Sequence, residues 1–359
     1  MKIILISASV FFFTLTATGQ SSFTVSGKVV DSVSQEPLSG ASVFCQNTTL
    51  GTTTTPEGSF SLRLRPGGYD LVITFTGYQS QTIRISETDV VSNLLIQMVK
   101  AEKSMEEVVI RSSNEVLDGW EKYGQFFIDH FIGTTAFAKQ CSLQNPQALK
   151  FFYFKRSDRL KILAEEPLVV SNPALGYILR YQLDSFVYRY ADKQYSYRGF
   201  CFFEEMQGTR AEMREWHKNR KLAYYGSRLH FMHAYYDKKL TEDGFVIALL
   251  NENDDKKFDF IALPYHEKYY TPVDSTAEID IYYPRRISLT YTKRTPETAY
   301  LKQYNLPLDV GVQTSYIDML DVITIRENGY YYNQKDWINF GYWSWKNIGD
   351  LLPFDYIPD

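Results

Sequence analysis

The sequence predicts two folded units, an all-β sandwich followed by an α+β domain with a largely antiparallel sheet. At 359 residues the chain is too long for one hydrophobic core and fits two domains. Residues 22–100 alternate apolar and polar side chains between evenly spaced turn signals, which is typical of a small antiparallel sandwich. Residues 118–359 mix helical and strand periodicity and hold most of the 24 phenylalanines and 28 tyrosines, residue types that favour sheets.

Residues 1–20 have the pattern of a signal peptide. Lys2 precedes a mostly apolar run from Ile3 to Leu15, and the small residues Ala17 and Gly19 follow where signal peptidase cuts. The apolar run is shorter than the roughly 20 residues that span a bilayer, and polar residues follow it at once. We therefore expect a cleaved signal, with a retained anchor as the alternative, and an exported protein located in the periplasm or on the periplasmic face of the outer membrane.

Four strands of the sandwich are recognisable from their period of two. Residues 59–65 are the clearest case, because Phe60, Leu62 and Leu64 point to one side and polar residues stand between them. The other three predicted strands are residues 23–31, 41–46 and 69–78. The turn signals EPLSG, TPEGS, RPGG and TGYQS lie before, between and after these strands.

The segments GKVVDSVSQEPLSGASVF, GTTTTPEGSFSL and YDLVITFTGYQSQTI resemble the carboxypeptidase-regulatory-like domain of exported Bacteroidetes proteins. The resemblance implies a transthyretin-like sandwich over residues 22–100 that precedes a larger functional unit. In carboxypeptidases this module is accessory and not catalytic. The chain departs from the family at Thr55, where an Asp usually bonds the turn backbone, so we expect this turn to be weaker or to be held by threonine hydroxyls.

Residues 101–117 are predicted to be a linker with a short strand at Glu106–Ile110. A similar segment follows this sandwich in TonB-dependent outer-membrane receptors, and it suggests a component of an outer-membrane assembly as an alternative role. Their 22-stranded barrel needs several hundred more residues than remain here. Charged residues also interrupt the apolar face that a smaller barrel would present to lipid. We expect no transmembrane barrel in this chain.

The α+β domain is predicted from a series of shorter patterns. A helix is expected at 117–133 with Gly133 at its end, and a long helical segment is expected at 208–240 with a break near Gly226. Strands are predicted within 148–166 (a hairpin) and at 177–190, 195–206, 244–250, 258–264, 277–283 and 287–293. Together with its aromatic end, this region resembles the uncharacterised C-terminal region that accompanies the sandwich in exported Bacteroidetes proteins. That resemblance implies no activity.

His230 and His233 are the metal candidates, because residues three apart on a helix lie on one face and both imidazoles could reach one ion. Zinc would need a third ligand. His217 lies too far along the same helix, and nothing in the sequence points to His130 or His266. The pair is surrounded by aromatic residues, and a helix that is apolar on so much of its surface is buried. We therefore expect histidines packed in a core, and no metal or cofactor.

No catalytic motif is present. The sequence lacks the HxxE and HExxH patterns of zinc peptidases, the GxSxG elbow of hydrolases and the glycine-rich nucleotide-binding loops. Asn251, Asn253 and Asp255 alternate like calcium ligands, but Lys256 and Ala262 stand where an EF-hand needs Gly and Glu. A solvated turn is the better interpretation.

The three cysteines allow one disulfide at most. Cys45 falls on an inward strand position and is expected to be a small buried hydrophobe. Cys141 and Cys201 belong to the same predicted domain, so an oxidising compartment would allow them to pair.

Tyr342, Trp343 and Trp345 are the candidate ligand-contact residues, since aromatic rings with polar tips suit sugars and peptides. The same composition would also close the last layer of a core. We predict a strand here, in which Trp343 and Trp345 share one face, and this arrangement favours the core interpretation.

These observations favour a non-catalytic binding or assembly role in the cell envelope, with an envelope protein, a peptide or a glycan as the partner. A hydrolase of unrecognised type is the alternative. The net charge of −4 argues against nucleic acid, which binds basic patches.

Overall fold

The computed structural model describes residues 22–89, 91–101, 114–254, 256–273, 276–332 and 334–358. The predicted signal peptide, the Glu106–Ile110 strand and Asp255 lie outside the described residues. No helix within the described ranges is both long enough and apolar enough to cross a membrane.

The N-terminal region is a sandwich of two sheets, which confirms the fold class predicted for it. Its strands are β1 (Phe23–Asp31), β2 (Ser42–Cys45), β3 (Gly51–Thr53), β4 (Ser59–Leu64), β5 (Gly68–Thr74), β6 (Gln81–Ser86) and β7 (Leu94–Met98). One sheet has the order β4-β1-β7 and the other β3-β2-β5-β6. Strand β7 runs parallel to β1, and the remaining pairings are antiparallel. The inner faces meet in an apolar core that includes Val29, Leu62 and Leu71.

The turn between β3 and β4 lacks the usual Asp, and Thr55 accepts the hydrogen bonds that hold it. The Thr55 carbonyl accepts a hydrogen bond from the Gly58 N–H at 2.8 Å. The Thr55 hydroxyl accepts a second one from the Ser59 N–H at 3.3 Å. Of the two expectations stated for this turn, the structure shows the one in which a threonine hydroxyl holds it.

The second region begins with a helix and a six-stranded sheet in the order β8-β11-β12-β10-β9, with β13 also paired to β12. The elements are α1 (Gly119–Phe131), β8 (Ser142–Leu143), β9 (Leu149–Phe154), β10 (Arg159–Ala164), β11 (Leu168–Asn172), β12 (Tyr177–Arg189) and β13 (Gln194–Glu205). The helix, the β9–β10 hairpin and the two long strands confirm the predicted elements. Phe127, Phe131 and Ile162 lie in the core between helix and sheet.

Two further antiparallel sheets follow three consecutive helices, so the region is α+β with three sheets where one was expected. The elements are α2 (Arg210–Tyr224), α3 (Arg228–Tyr236), α4 (Leu240–Asp243), β14 (Phe245–Leu250), β15 (Phe258–Phe260), β16 (Tyr270–Val273), β17 (Glu278–Ile281), β18 (Ile287–Tyr291), α5 (Thr298–Gln303), β19 (Gln313–Met319), β20 (Ile323–Ile325), β21 (Trp337–Gly341) and α6 (Tyr342–Trp345). The sheet orders are β15-β14-β18-β19-β21 and β16-β17-β20.

The helical segment breaks at the predicted place. Gly226 has a φ of 85°, in the left-handed region that favours glycine. A Cβ at this position would lie 2.6 Å from Cδ1 of Tyr291. Ser227 then begins α3, because its hydroxyl accepts a hydrogen bond from the His230 N–H at 3.2 Å. Glycine and cap together turn the chain so that α3 packs on the aromatic core.

The strand predicted at the C-terminal aromatic residues is wrong. Strand β21 ends at Gly341, and Tyr342–Trp345 form the single helical turn α6. The φ of Gly341 is 71°, which turns the chain out of the strand. The two tryptophans therefore do not share a strand face.

The sandwich packs directly against the second region. Asn47, in the loop after β2, contacts two distant segments. The Asn47 N–H donates to the Cys201 carbonyl, and the Asn47 carbonyl accepts from the Phe354 N–H, each at 2.7 Å. The Phe203 N–H donates to the Thr48 carbonyl at 3.0 Å. Phe44 and Phe202 pack across the same contact in a tilted arrangement, with ring centroids 5.4 Å apart.

Candidate functional site

His230 is a buried residue with both ring nitrogens engaged. Its Nδ1 accepts a hydrogen bond from the Gly226 N–H at 3.1 Å, and its Nε2 lies 3.5 Å from the Asp243 carboxylate. Burial, with smaller contributions from His233 and Lys293, lowers the pKa of His230 to about 4. The imidazole is therefore neutral at neutral pH, with its proton on Nε2.

His233 occupies a different position in the same aromatic layer. Its Nδ1 lies 2.8 Å from the Tyr224 hydroxyl. Burial lowers the pKa of His233, and a hydrogen bond to the Asn328 backbone partly opposes this shift. The described residues contain no group of three or more His, Cys, Asp and Glu side chains that could hold a metal ion. The structure thus places both histidines in one layer but brings no third ligand to them.

Ser227, His230 and Asp243 are the three residue types of a hydrolase triad, but their geometry is different. The Ser227 hydroxyl bonds the backbone N–H of His230 and not its ring. A general base for such chemistry needs a pKa near the working pH, and burial moves the pKa of His230 to about 4. This arrangement caps a helix and does not activate a nucleophile.

A cavity lies where the sandwich meets the second region. It has a volume of about 120 Å³. We call it the junction cavity and define it by six of its lining residues, which are Asn47, Tyr225, Arg228, Arg294, Trp343 and Lys346. Asn47 comes from the sandwich, and the other five come from α3, α6 and the loops beside them.

A partly buried ionic cluster also lines the junction cavity. The Lys346 ammonium forms an ion pair with Glu297 and lies 3.0 Å from the Asp350 carboxylate. Asp350 also accepts a hydrogen bond from the Thr135 hydroxyl at 2.7 Å. Burial alone would lower the pKa of Lys346, but Asp350, Tyr342 and Glu297 outweigh it and raise this pKa. Burial raises the pKa of Asp350. We take the cluster as charged, because the ammonium has two carboxylate partners.

Two arginines that also line the cavity keep uncommitted donors. The Arg228 guanidinium lies 5.5 Å from the centre of the Tyr331 ring, and it forms no hydrogen bond or ion pair with any described residue. Arg294 donates from Nη1 to the carbonyls of Leu222, at 2.6 Å, and Tyr225, at 3.3 Å. Its Nε and Nη2 have no partner within the described ranges.

The three aromatic residues proposed from the sequence are all buried. Trp343 donates from its indole to the Gly226 carbonyl at 2.7 Å. Trp345 donates to the Thr134 hydroxyl and to the Gln303 amide oxygen. Tyr342 and Trp343 line the junction cavity, and Trp345 does not. The sequence pointed to this segment but not to Arg228 or Arg294, because their proximity depends on long-range packing.

The cysteines are free thiols. Cys45 and Cys201 are buried, and Cys141 is half-buried. Burial raises the pKa of Cys141 to about 12, so its thiolate is scarce at neutral pH. The pairing of Cys141 with Cys201 that the compartment allowed is not formed.

Comparisons with known proteins give a family match and weak structural similarities. A search of the curated proteins finds no match. One similar solved structure is that of a protein of unknown function from Bacteroides fragilis NCTC 9343, for which membrane association has been suggested. Its sequence is 13% identical to this chain and the TM-score is 0.19. The alignment covers 45% of this chain and 65% of that one. A 9R-lipoxygenase from Cyanothece PCC8801 is 9% identical with a TM-score of 0.18, and the alignment covers 64% of this chain and 50% of that one.

Scores this low do not establish a shared fold. The family described as the CarboxypepD_reg-like domain matches residues 25–110. This match agrees with the two-sheet sandwich and with the resemblance noted in the sequence. Residues 25–110 are therefore a carboxypeptidase-regulatory-like domain, and the region that follows is uncharacterised.

Proposed function

We propose that the protein is exported to the cell envelope and acts there as a non-catalytic binding protein. The observation that carries this proposal is the junction cavity, which combines an aromatic wall with uncommitted arginine donors. Cavities of this kind, mainly apolar with a few convergent polar groups, are the usual form of ligand sites. The signal-like residues 1–20 and the accessory nature of the sandwich support the envelope location.

Binding is favoured over hydrolysis by the state of the titratable groups. The pKa of His230 is too low for a base at neutral pH, and the thiol pKa of Cys141 is too high for a nucleophile. The Lys346 ammonium is held by two carboxylates, so it is not available as a free amine. None of these groups is prepared for covalent or general acid–base chemistry.

The sandwich contributes to the site as a wall and not as an independent binder. Its Asn47 lines the junction cavity while the Asn47 backbone bonds both Cys201 and Phe354. An accessory module fixed in this way would hold the cavity in one shape and reduce the entropy lost on binding. The partner classes remain those proposed from the sequence, which are an envelope protein, a peptide or a glycan.

A crosslinking pull-down from envelope fractions tests the proposal. Tyr225 and Tyr282 are a matched pair, because they are 40% and 38% exposed and only Tyr225 lines the cavity. We expect the wild type and Tyr282→Ala to capture the same partner and Tyr225→Ala to lose it. Hydrolysis of an ester, peptide or glycoside that disappears in His230→Ala would contradict a non-catalytic role. Export is tested by cell fractionation and by the N-terminal sequence of the recovered protein.

A further inference from the structure

We propose that the junction cavity binds a carboxylate attached to an apolar group, with Arg228 and Arg294 donating hydrogen bonds to the carboxylate. This inference rests on the proposed binding function and names the class of ligand.

The cavity has room for a small organic group and a route to solvent. Its volume of about 120 Å³ is many times the roughly 10–15 Å³ that a single water needs by this measure. Leu229, Trp343 and Phe354 supply an apolar lining. Leu222 and Tyr225 also line it and are 42% and 40% exposed, so the cavity opens to the surface beside them.

The donors suit a carboxylate in particular. A guanidinium presents a planar fork of N–H groups that matches the two oxygens of a carboxylate. The N–H groups of the Arg228 guanidinium form no hydrogen bond with any described residue. Arg294 is held in place by the hydrogen bonds from its Nη1, while its Nε and Nη2 donors have no partner among the described residues. The fixed position of Arg294 means that little side-chain entropy is lost when it binds.

The charge around the cavity favours a single negative charge. Three cationic side chains line it, namely Arg228, Arg294 and Lys346, together with the acidic Glu297 and Asp350. Lys346 is compensated by both acids, so the two arginines are left without counterions inside the cavity. The three cations and two acids sum to +1, so a monoanion would balance the charge of the lining, whereas a phosphate dianion would reverse it and meet stronger repulsion from the nearby carboxylates. A neutral glycan would leave both guanidinium groups unpaired.

Such a carboxylate can come from a free acid or from the C-terminus of a peptide. Calorimetric titration of the wild-type protein with 3-phenylpropionate and with its neutral amide tests the shared chemistry. The tripeptide glycyl-glycyl-phenylalanine, with a free and with an amidated C-terminus, tests the peptide source. We expect each acid to bind at least about tenfold more tightly than its amide, because hydrogen bonds to charged groups are the strong ones.

Variants assign the binding to the arginines. Arg228→Gln should weaken binding of the acids by about tenfold or more, and Arg228→Lys should restore only part of it because a lysine lacks the fork. Arg210→Gln is the control, since Arg210 is exposed at the far end of α2. Circular dichroism and the melting temperature of each variant confirm that it is folded.

Equal affinity for the acids and their amides would overturn the inference, as would acid binding that is unchanged in folded Arg228→Gln. Capture of an envelope partner that depends on Tyr225 but not on Arg228 would leave the proposed function standing and refute the ligand class. Carboxylate binding that depends on Arg228, with no partner captured from the envelope, would support the ligand class and count against the partner-binding role.

Discussion

His230 and His233 illustrate at the scale of single residues how one sequence pattern can serve two structural purposes. The spacing of three residues suits a shared metal ion, but it also suits two positions in one aromatic layer. In the structure Gly226 and Asp243 contact the two ring nitrogens of His230, and Tyr224 contacts Nδ1 of His233. A histidine whose nitrogens are bonded within the protein has no lone pair left for a metal.

A first prediction concerns metal content. The mature protein, purified without chelator, should contain far less than one zinc per chain when it is analysed by elemental emission. The reason is that the part of the chain that the structure describes brings no third ligand to the two histidines, and both are hydrogen-bonded to the protein. Stoichiometric zinc that disappears in a His230→Ala, His233→Ala double variant would show that this interpretation is wrong.

A second prediction concerns pH. The folded pKa of His230 is about 4, below the usual 6.5, so the unfolded state binds more protons between these values. Stability from this residue is therefore fully present above about pH 6.5 and is lost as the pH falls towards 4, by up to about 1.4 kcal/mol per pH unit. The groups around the ring are Asp243, His233 and Lys293.

Urea unfolding at several pH values between 4 and 7 measures this effect. The wild type should lose stability more steeply on acidification than His230→Gln, whose side chain does not titrate. The comparison between the two proteins removes the contribution of surface carboxylates, which both retain. Equal slopes for the two proteins would mean that His230 is not the titrating group.

At the scale of elements, the clearest difference between prediction and structure is at Tyr342–Trp345, where a strand was predicted and the helical turn α6 is found.

A third prediction concerns the two tryptophans of this turn. Trp343 and Trp345 are 7% and 3% exposed, so each substitution by alanine should lower the free energy of unfolding by about 3–5 kcal/mol and reduce the melting temperature. Trp120→Ala is the control, because that ring is 37% exposed and should matter much less. Thermal unfolding followed by circular dichroism provides the measurement. An unchanged melting temperature combined with lost ligand binding would instead assign these rings to the site.

The elements that sequence reasoning recovered are those with local, repeated patterns. Phe60, Leu62 and Leu64 alternate with polar residues, and the structure buries all three in β4. Gly226 and Ser227 are a local stop and start signal, and the break lies there. The segment at Tyr342–Trp345 has no such signal, since one helical turn is too short to show a period. Its conformation depends on the preceding Gly341 and on contacts with β19.

The candidate site was only partly predictable for the same reason. The aromatic segment could be noticed because its residues are adjacent in the chain. Arg228, Arg294 and Asn47 come from segments that are far apart in sequence, and nothing in their own neighbourhoods marks them. Their meeting is a product of tertiary packing, which a single sequence does not encode in a local pattern.

At the scale of the whole molecule, the contact between sandwich and second region determines how the protein responds to a protease. A fourth prediction is that limited proteolysis cuts first between residues 100 and 117 and yields an N-terminal fragment of roughly 80 residues and a larger remainder. The two fragments should elute together on size exclusion, because Asn47 bonds both Cys201 and Phe354, and Arg326 pairs with Glu87 across the contact at 3.8 Å. Electrophoresis of the co-eluting peak identifies both pieces.

Mutation of the contact provides the control for that experiment. Thr49 donates to Asp355 through both its N–H and its hydroxyl, so Asp355→Ala should weaken the association of the nicked fragments while each fragment stays folded. First cuts at 150–250 would argue against separate domains. Fragments of the nicked wild type that separate without denaturant would argue against a stable contact.

The bonds of Asn47 and Thr49 to Phe354 and Asp355 have a consequence for the order in which the molecule is completed. Synthesis makes the sandwich first and the residues that cover its β2 loop some three hundred positions later. Until then this loop is hydrated, and closing so long a separation is slow compared with forming the local hairpins. The junction cavity, which Phe354 lines, is therefore complete only after this distant segment has reached the sandwich.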